Sequence, residues 1–279
     1  MRAAGRLVGQ GEARHGSVGP SEDHTPERSA IASIIGTLNE GHLHATLRSR
    51  YVEPGDEIEV GVDGYVVDIL RGEQIIEIQT KNFSKIARKM RALVGAGHRV
   101  RLVLPIPRDV WIVKVSENGS ELSRRRSPKH PEIVDVFGEL VSIPELIGHE
   151  RFELEVVLTR EERVVRQDAR AGWRRRGWLT IERRLLEVCE TVPLRTVADY
   201  VALLPAGLGA EFGTAEIAAA CGRPRAVGQQ IAYCLRRCGV IEKVGSVGNA
   251  VVYARVTAGP LVVGAPQVRR KRKKTSVAR

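Results

Sequence analysis

The chain has 279 residues, 43% of them hydrophobic and 28% charged, which is enough for two domains and a sizeable core without disulfides. The formal net charge of +11 favours polyanionic partners, nucleic acid first, although Arg269, Arg270, Lys271, Arg272, Lys273, Lys274 and Arg279 supply seven of those charges from one end. No stretch approaches ~20 apolar residues and no apolar signal core opens the chain, so neither a membrane span nor a secretory route is expected and the protein reads as cytoplasmic.

Residues 1–29 are rich in Gly, Ser, Pro and charge and read as disordered. Ile31, Ile34, Ile35, Leu38, Leu43 and Leu47 then recur at helical steps until Pro54-Gly55-Asp56 ends the pattern in a turn. Strands are expected at Glu57–Val62, Tyr65–Leu70 and Ile75–Thr80, with turns at Asp63-Gly64 and Arg71-Gly72-Glu73-Gln74. A helix over Phe83–Val94 follows, with Ile86, Met90 and Leu93 on one face. The apolar run Arg99–Ile106 suits a buried central strand, and Val110–Val115 reads as another. Residues 116–130 read as an exposed flap bearing Arg124, Arg125, Arg126 and Lys129. Helix Val134–Val141 and strand Glu153–Thr159 complete an expected domain over residues 30–160, of α/β class: a mixed sheet flanked by helices.

Residues 161–205 are expected to form a basic helical connector, with helices at Thr180–Glu190 and Thr196–Leu204. In it Trp173 and Trp178 flank Arg174, Arg175 and Arg176, a combination that either stacks on bases or packs the connector onto the body. From 206 to 258 the pattern is a helix Ala215–Ala220 capped by Thr214, a turn, a helix from about Pro224 to Arg237, and a hairpin of Val240–Val244 and Val251–Val256. That order is the winged-helix order, a smaller α+β unit. Arg223, Arg225, Arg236 and Arg237 bracket the expected recognition helix as nucleic-acid contacts, with Arg225 placed for phosphate and Gln229 and Gln230 for base edges, although Arg and Gln also populate ordinary solvated helices. Residues 259–279 read as a disordered basic tail. Cys189, Cys221, Cys234 and Cys238 are expected as reduced core thiols, because no second ligand pair of zinc-site spacing accompanies Cys234 and Cys238.

The sharpest local signal is Asp68 and Glu77-Ile78-Gln79 facing each other across a hairpin. Side chains alternate along a strand, so Glu77 and Gln79 share a face, and Lys81 continues it. Two carboxylates meeting at a strand end make a hard oxygen site suited to Mg²⁺ or Mn²⁺. Such a metal activates water and stabilises charge building on a phosphodiester. Glu40 on the first helix is a third carboxylate in reach. Asp63 is a rival to Asp68, but its Gly64 neighbour favours a turn. His42 and His44 read as surface or packed residues rather than ligands.

The segment Val67-Asp68-Ile69-Leu70 … Ile76-Glu77-Ile78-Gln79-Thr80, preceded by a Glu-bearing helix and followed by a helix and an apolar strand, resembles the PD-(D/E)XK restriction-endonuclease-like superfamily over residues 31–115. The resemblance implies Asp68, Glu77 and Glu40 as metal ligands and Gln79 in the place of the usual lysine, with Lys81 as a substitute positive charge. It implies a DNA endonuclease, and many such nucleases work as homodimers. The whole chain also resembles an uncharacterised bacterial family that joins this domain to a C-terminal winged helix. A non-catalytic DNA-binding protein on a degenerate nuclease fold is the alternative, and a protein-binding adaptor is a third reading. No phosphate-binding or dinucleotide fingerprint occurs, so no nucleotide cofactor is expected.

Overall fold

The computed structural model describes residues 41–169 and 177–256. The segments expected to be disordered, 1–29 and 259–279, lie outside the described residues, as do Glu40, Trp173, Arg174, Arg175 and Arg176.

The fold is α/β. A helix over 41–51 (α1) leads into β1 (Glu57–Val62), β2 (Tyr65–Arg71) and β3 (Gln74–Ile78). A single turn of 3-10 helix precedes α2 (Ala87–Gly95). Next come β4 (Arg99–Val115), β5 (Glu121–Arg126), the short helix α3 (Phe137–Leu140), β6 (Phe152–Gln167), β7 (Trp178–Leu194) and α4 (Val197–Ala202). The strands form one seven-stranded sheet in the order β1-β2-β3-β4-β6-β7, with β5 paired to β4. It is mixed: β4 runs parallel to β3 and β6, and the other pairs are antiparallel.

Both faces of the central strands are covered, so their sequences are apolar at consecutive positions rather than alternate ones. On one face Leu43 and Leu47, one turn apart on α1, pack on Ile69, Ile76, Ile78, Val103 and Val157. On the other, Met90, Leu93 and Val94 of α2 and Phe137 and Leu140 of α3 pack on Ile75, Leu102 and Leu104. The turn at Asp63-Gly64 forms as expected, with both residues at positive φ.

Two long strands depart from the sequence reading. The two strands expected within 99–115 are one, with a register shift between Pro107 and Asp109. Pro105 and Pro107 fall where β4 has left β3, whose pairing ends at Val103, and has not yet met β5, whose pairing starts at Trp111. That local edge leaves room for residues without an N–H. The expected helix at Thr180–Glu190 is wrong: these residues belong to β7, paired with β6 from Gln167↔Trp178 to Leu154↔Leu194. The expected helical connector is therefore largely sheet. Its Leu, Glu and Arg content suits a helix, but the long antiparallel pairing with β6 overrides that weak preference. The helix expected after Thr196 does form, as α4, with Thr196 and Asp199 capping each other. The flap expected at 116–130 carries β5, a fully exposed strand with three consecutive arginines.

The C-terminal elements are β8 (Glu211–Phe212), α5 (Thr214–Ala220), α6 (Arg225–Arg237), β9 (Ile241–Val247) and β10 (Ala250–Arg255). The three strands form their own sheet, β8-β10-β9. Gly213, not Thr214, caps α5, and its N–H donates to Glu216. Ile217, Ile231, Cys234 and Leu235 join the same core as Phe137. Cys234 is a core thiol as expected and Cys238 packs half-buried against the core: burial pushes their pKa up to about 12 and about 11.

Gly228 sets the approach of α5 to α6. A Cβ there would collide with the Thr214 carbonyl and lie 2.9 Å from Cβ of Ala218 and 3.0 Å from its backbone N. In a free helix Gly→Ala is favourable by up to about 1 kcal/mol. Here the obstruction is backbone, so the helices must part. Gly228→Ala is expected to destabilise the protein by about 1–3 kcal/mol, read as a lower urea midpoint.

Candidate metal centre

The β2–β3 ladder pairs Arg71↔Gln74, Leu70↔Ile75 and Ile69↔Ile76, and stops there. At the next position the strands open, and two side chains take over the backbone bonds. The Ile78 N–H donates to Oδ2 of Asp68 at 2.8 Å, and the Asp68 N–H to Oε2 of Glu77 at 3.3 Å. Asp68 and Glu77 thus wedge open the hairpin end, one on each strand. Beyond them β3 stays attached to its other neighbour, the Gln79 N–H donating to the Val103 carbonyl at 2.9 Å.

Two further groups complete the cluster. His44, on α1, places Nε2 3.1 Å from Oδ2 of Asp68. Lys89, on α2, donates to Oε1 of Glu77 and to the Val66 carbonyl, the latter at 2.6 Å. Elements from both sides of the sheet therefore converge on the hairpin mouth.

The charges are closely balanced. Glu77 is only 6% exposed. Burial and the neighbouring Asp68 charge push its pKa up, against the pull of Lys89. Burial also pushes Asp68 up, but the His44 hydrogen bond and the Ile78 N–H outweigh it and hold the carboxyl below its usual range. The bond to Asp68 holds His44 above its ordinary range, opposed by burial. A carboxylate pair of which one member is buried and one half-buried, and whose second charge is resisted, is the electrostatic condition that a bound cation relieves. Both described hydrogen bonds to the Asp68 carboxylate fall on Oδ2, which leaves Oδ1 facing no described donor. Hard oxygen donors on two strands suit Mg²⁺ or Mn²⁺. Among the described residues no group of three or more His, Cys, Asp and Glu is arranged to hold a metal.

The structure thus brings together Asp68 and Glu77 from the sequence-derived set. Gln79 is half-buried, and its amide is turned onto the carbonyl of Lys81. Lys81 is exposed, and it is Lys89 that meets Glu77. Lys89 escaped the sequence reading because it lies eight residues past Lys81, on the next helix. It borders the buried stripe of Met90 and Leu93, so its apolar stem follows the core while its ammonium reaches the strand end. His42 points elsewhere, 3.8 Å from Glu182. Asp63 faces His98 at 2.8 Å, away from the pair.

The residues expected at a nucleic-acid surface separate into two groups. Arg223 is occupied inside the chain: Nε donates to Asp135 at 2.9 Å, Nη2 to the same carboxylate, and Nη1 to the His130 carbonyl. Gln230 lies against Gly138. Both dock α6 onto the body and leave the surface set. Arg225, Gln229, Tyr233 and Arg236 instead follow one exposed stripe of α6 and line a groove of about 260 Å³ closed by Asn249–Val251 and Tyr253. Tyr233 is 48% exposed.

Together these features define an α/β protein with a carboxylate pair at an opened hairpin and a C-terminal α+β unit docked against α3. The chain belongs to the family described as domain of unknown function (DUF8091), whose model matches residues 41–195. That range begins at α1 and ends with β7, so the family unit is the whole seven-stranded sheet. A similar protein is an "uncharacterized protein" of Treponema pallidum (strain Nichols), 29% identical over 155 residues, covering 55% of this chain and 61% of that protein. The match thus spans less than two thirds of that relative's length. No solved structure matches. Among the described residues no helix is long and apolar enough to cross a membrane.

Proposed function

We propose that the chain is a metal-dependent DNA endonuclease of PD-(D/E)XK type, in which Asp68 and Glu77 hold Mg²⁺ or Mn²⁺. The observation that carries this reading is the pair itself, set on opposite strands of a hairpin at the point where its ladder ends. Held there, such a metal would supply an activated water and charge stabilisation for phosphodiester hydrolysis. Glu40 is a further ligand by resemblance alone.

The chain's own residues do the positioning. The Ile78 N–H and His44 hold Asp68 ionised and oriented. Lys89 balances Glu77 and brings the positive charge that Gln79 lacks to the hairpin mouth. The C-terminal unit is read as a winged helix that holds DNA through Arg225, Gln229 and Arg236, with Tyr233 as a stacking face. The protein acts in the cytoplasm, and a homodimer suits cleavage of both strands.

One observation favours the non-catalytic alternative, a DNA-binding protein on a degenerate nuclease fold. The Gln79 amide turns onto its own backbone neighbour, away from any substrate role. Cleavage of supercoiled plasmid, single-stranded and branched DNA in Mg²⁺ or Mn²⁺, against EDTA, separates the two. Metal-dependent cleavage is expected. DNA binding without cleavage favours the alternative.

A further inference from the structure

Beyond Pro107 the sheet continues as a four-stranded arm of β5, β4, β6 and β7. Register places Arg125, Ile112, Arg163 and Arg183 directly opposite one another, one from each strand. Residues paired this way share a face. Three guanidinium groups therefore stand in one row. On the next row of that face Lys114 lies with Nζ 4.3 Å over the ring of Trp178.

The row contains one satisfied arginine and one that is not. Arg183 donates from Nε and Nη2 to Glu161, at 3.1 and 2.7 Å, and Thr159 donates to the same carboxylate at 2.8 Å. Glu161 is 2% exposed, and its described hydrogen bonds come from Arg183 and Thr159. Arg163, half-buried beside them, makes no hydrogen bond or ion pair among the described residues. Burial, then the charge of Arg183, disfavours its charged form, only partly offset by the charge of Glu161. A part-desolvated guanidinium with unused donors is costly unless an acceptor arrives from outside. The planar fork of Arg fits the oxygens of a phosphate, and neighbouring cations suit a polyanion better than a single ion.

The geometry points to this face of the arm as a binding surface for the phosphate backbone of duplex DNA, with Arg163 as its central contact and Arg125 beside it. The inference rests on the nucleic-acid part of the proposed function, not on cleavage. Along β4 the row at Ile112 is nine residues from Val103, the partner of Ile78 at the carboxylate pair. At the rise of a strand that is about 30 Å, or about nine base pairs.

The test uses the full chain, a fluorescein-labelled 30-base-pair duplex and EDTA, with anisotropy read from 50 to 200 mM salt. Arg163→Gln and Arg125→Gln are each expected to weaken binding and to shrink the salt-induced loss of affinity by about threefold, the share of one phosphate contact. Arg163→Gln is expected to leave Tm unchanged or raised, since no partner is lost. Unchanged binding in both variants, while Arg225→Gln/Arg236→Gln binds more weakly, overturns the arm surface and keeps the nucleic-acid reading. No binding by the wild type overturns both. If Arg163→Gln lowers Tm as well as affinity, Arg125→Gln decides: weaker binding supports the surface, and unchanged binding overturns it.

Discussion

Glu77→Gln is expected to lower metal-dependent cleavage by about a thousandfold while leaving the metal-free protein as stable as the wild type or more so. The activity loss follows from removing one of two charged metal ligands, an effect of several kcal/mol on the barrier. The stability direction follows from the raised pKa of Glu77, caused first by burial and then by Asp68. A carboxylate whose pKa rises on folding leaves the folded state binding more protons. The ionised form is then a penalty, absent at pH below the ordinary carboxylate range and fully present above the raised value. Glutamine removes that penalty, and Lys89 keeps the Val66 carbonyl as acceptor. The advantage of the variant should therefore grow as pH rises through the pKa of Glu77. Plasmid cleavage and thermal unfolding in EDTA at several pH values check both halves. A purely structural pair would instead show lost stability at every pH.

Arg183→Leu is expected to cost about 3–5 kcal/mol, because it strands the buried Glu161 without its counter-charge. Arg183→Leu/Glu161→Leu should recover most of that loss, since two apolar side chains replace an ion pair whose desolvation offsets its attraction. Urea unfolding of the single and double variants measures it. If the single variant is neutral, the Glu161–Arg183 bond is not what holds the arm.

Much of the first sheet half was legible. Asp63-Gly64 set the β1–β2 turn, strand alternation put Asp68 opposite Glu77, and the apolar run Arg99–Ile106 announced a strand covered on both faces. The two C-terminal helices and their hairpin also follow their apolar spacing. What stayed hidden depends on partners distant in sequence. β7 is strand because β6 offers it a long edge, and nothing local overrides its helix-forming residues. Arg163 and Arg183 become neighbours only through that register. Lys89 meets Glu77 only once α2 crosses β3. Arg223 looked like a nucleic-acid contact, but Asp135, 88 residues away, holds it. In each case long-range pairing decided a role that residue type alone left open.

The most direct test of the central claim is calorimetric titration of Mn²⁺ and Mg²⁺ into the full chain and into Asp68→Asn. The wild type is predicted to bind metal, and Asp68→Asn, which keeps the side-chain shape but not its charge, to lose that binding. No binding by the wild type, or equal binding by both, would contradict a metal centre at the opened β2–β3 hairpin.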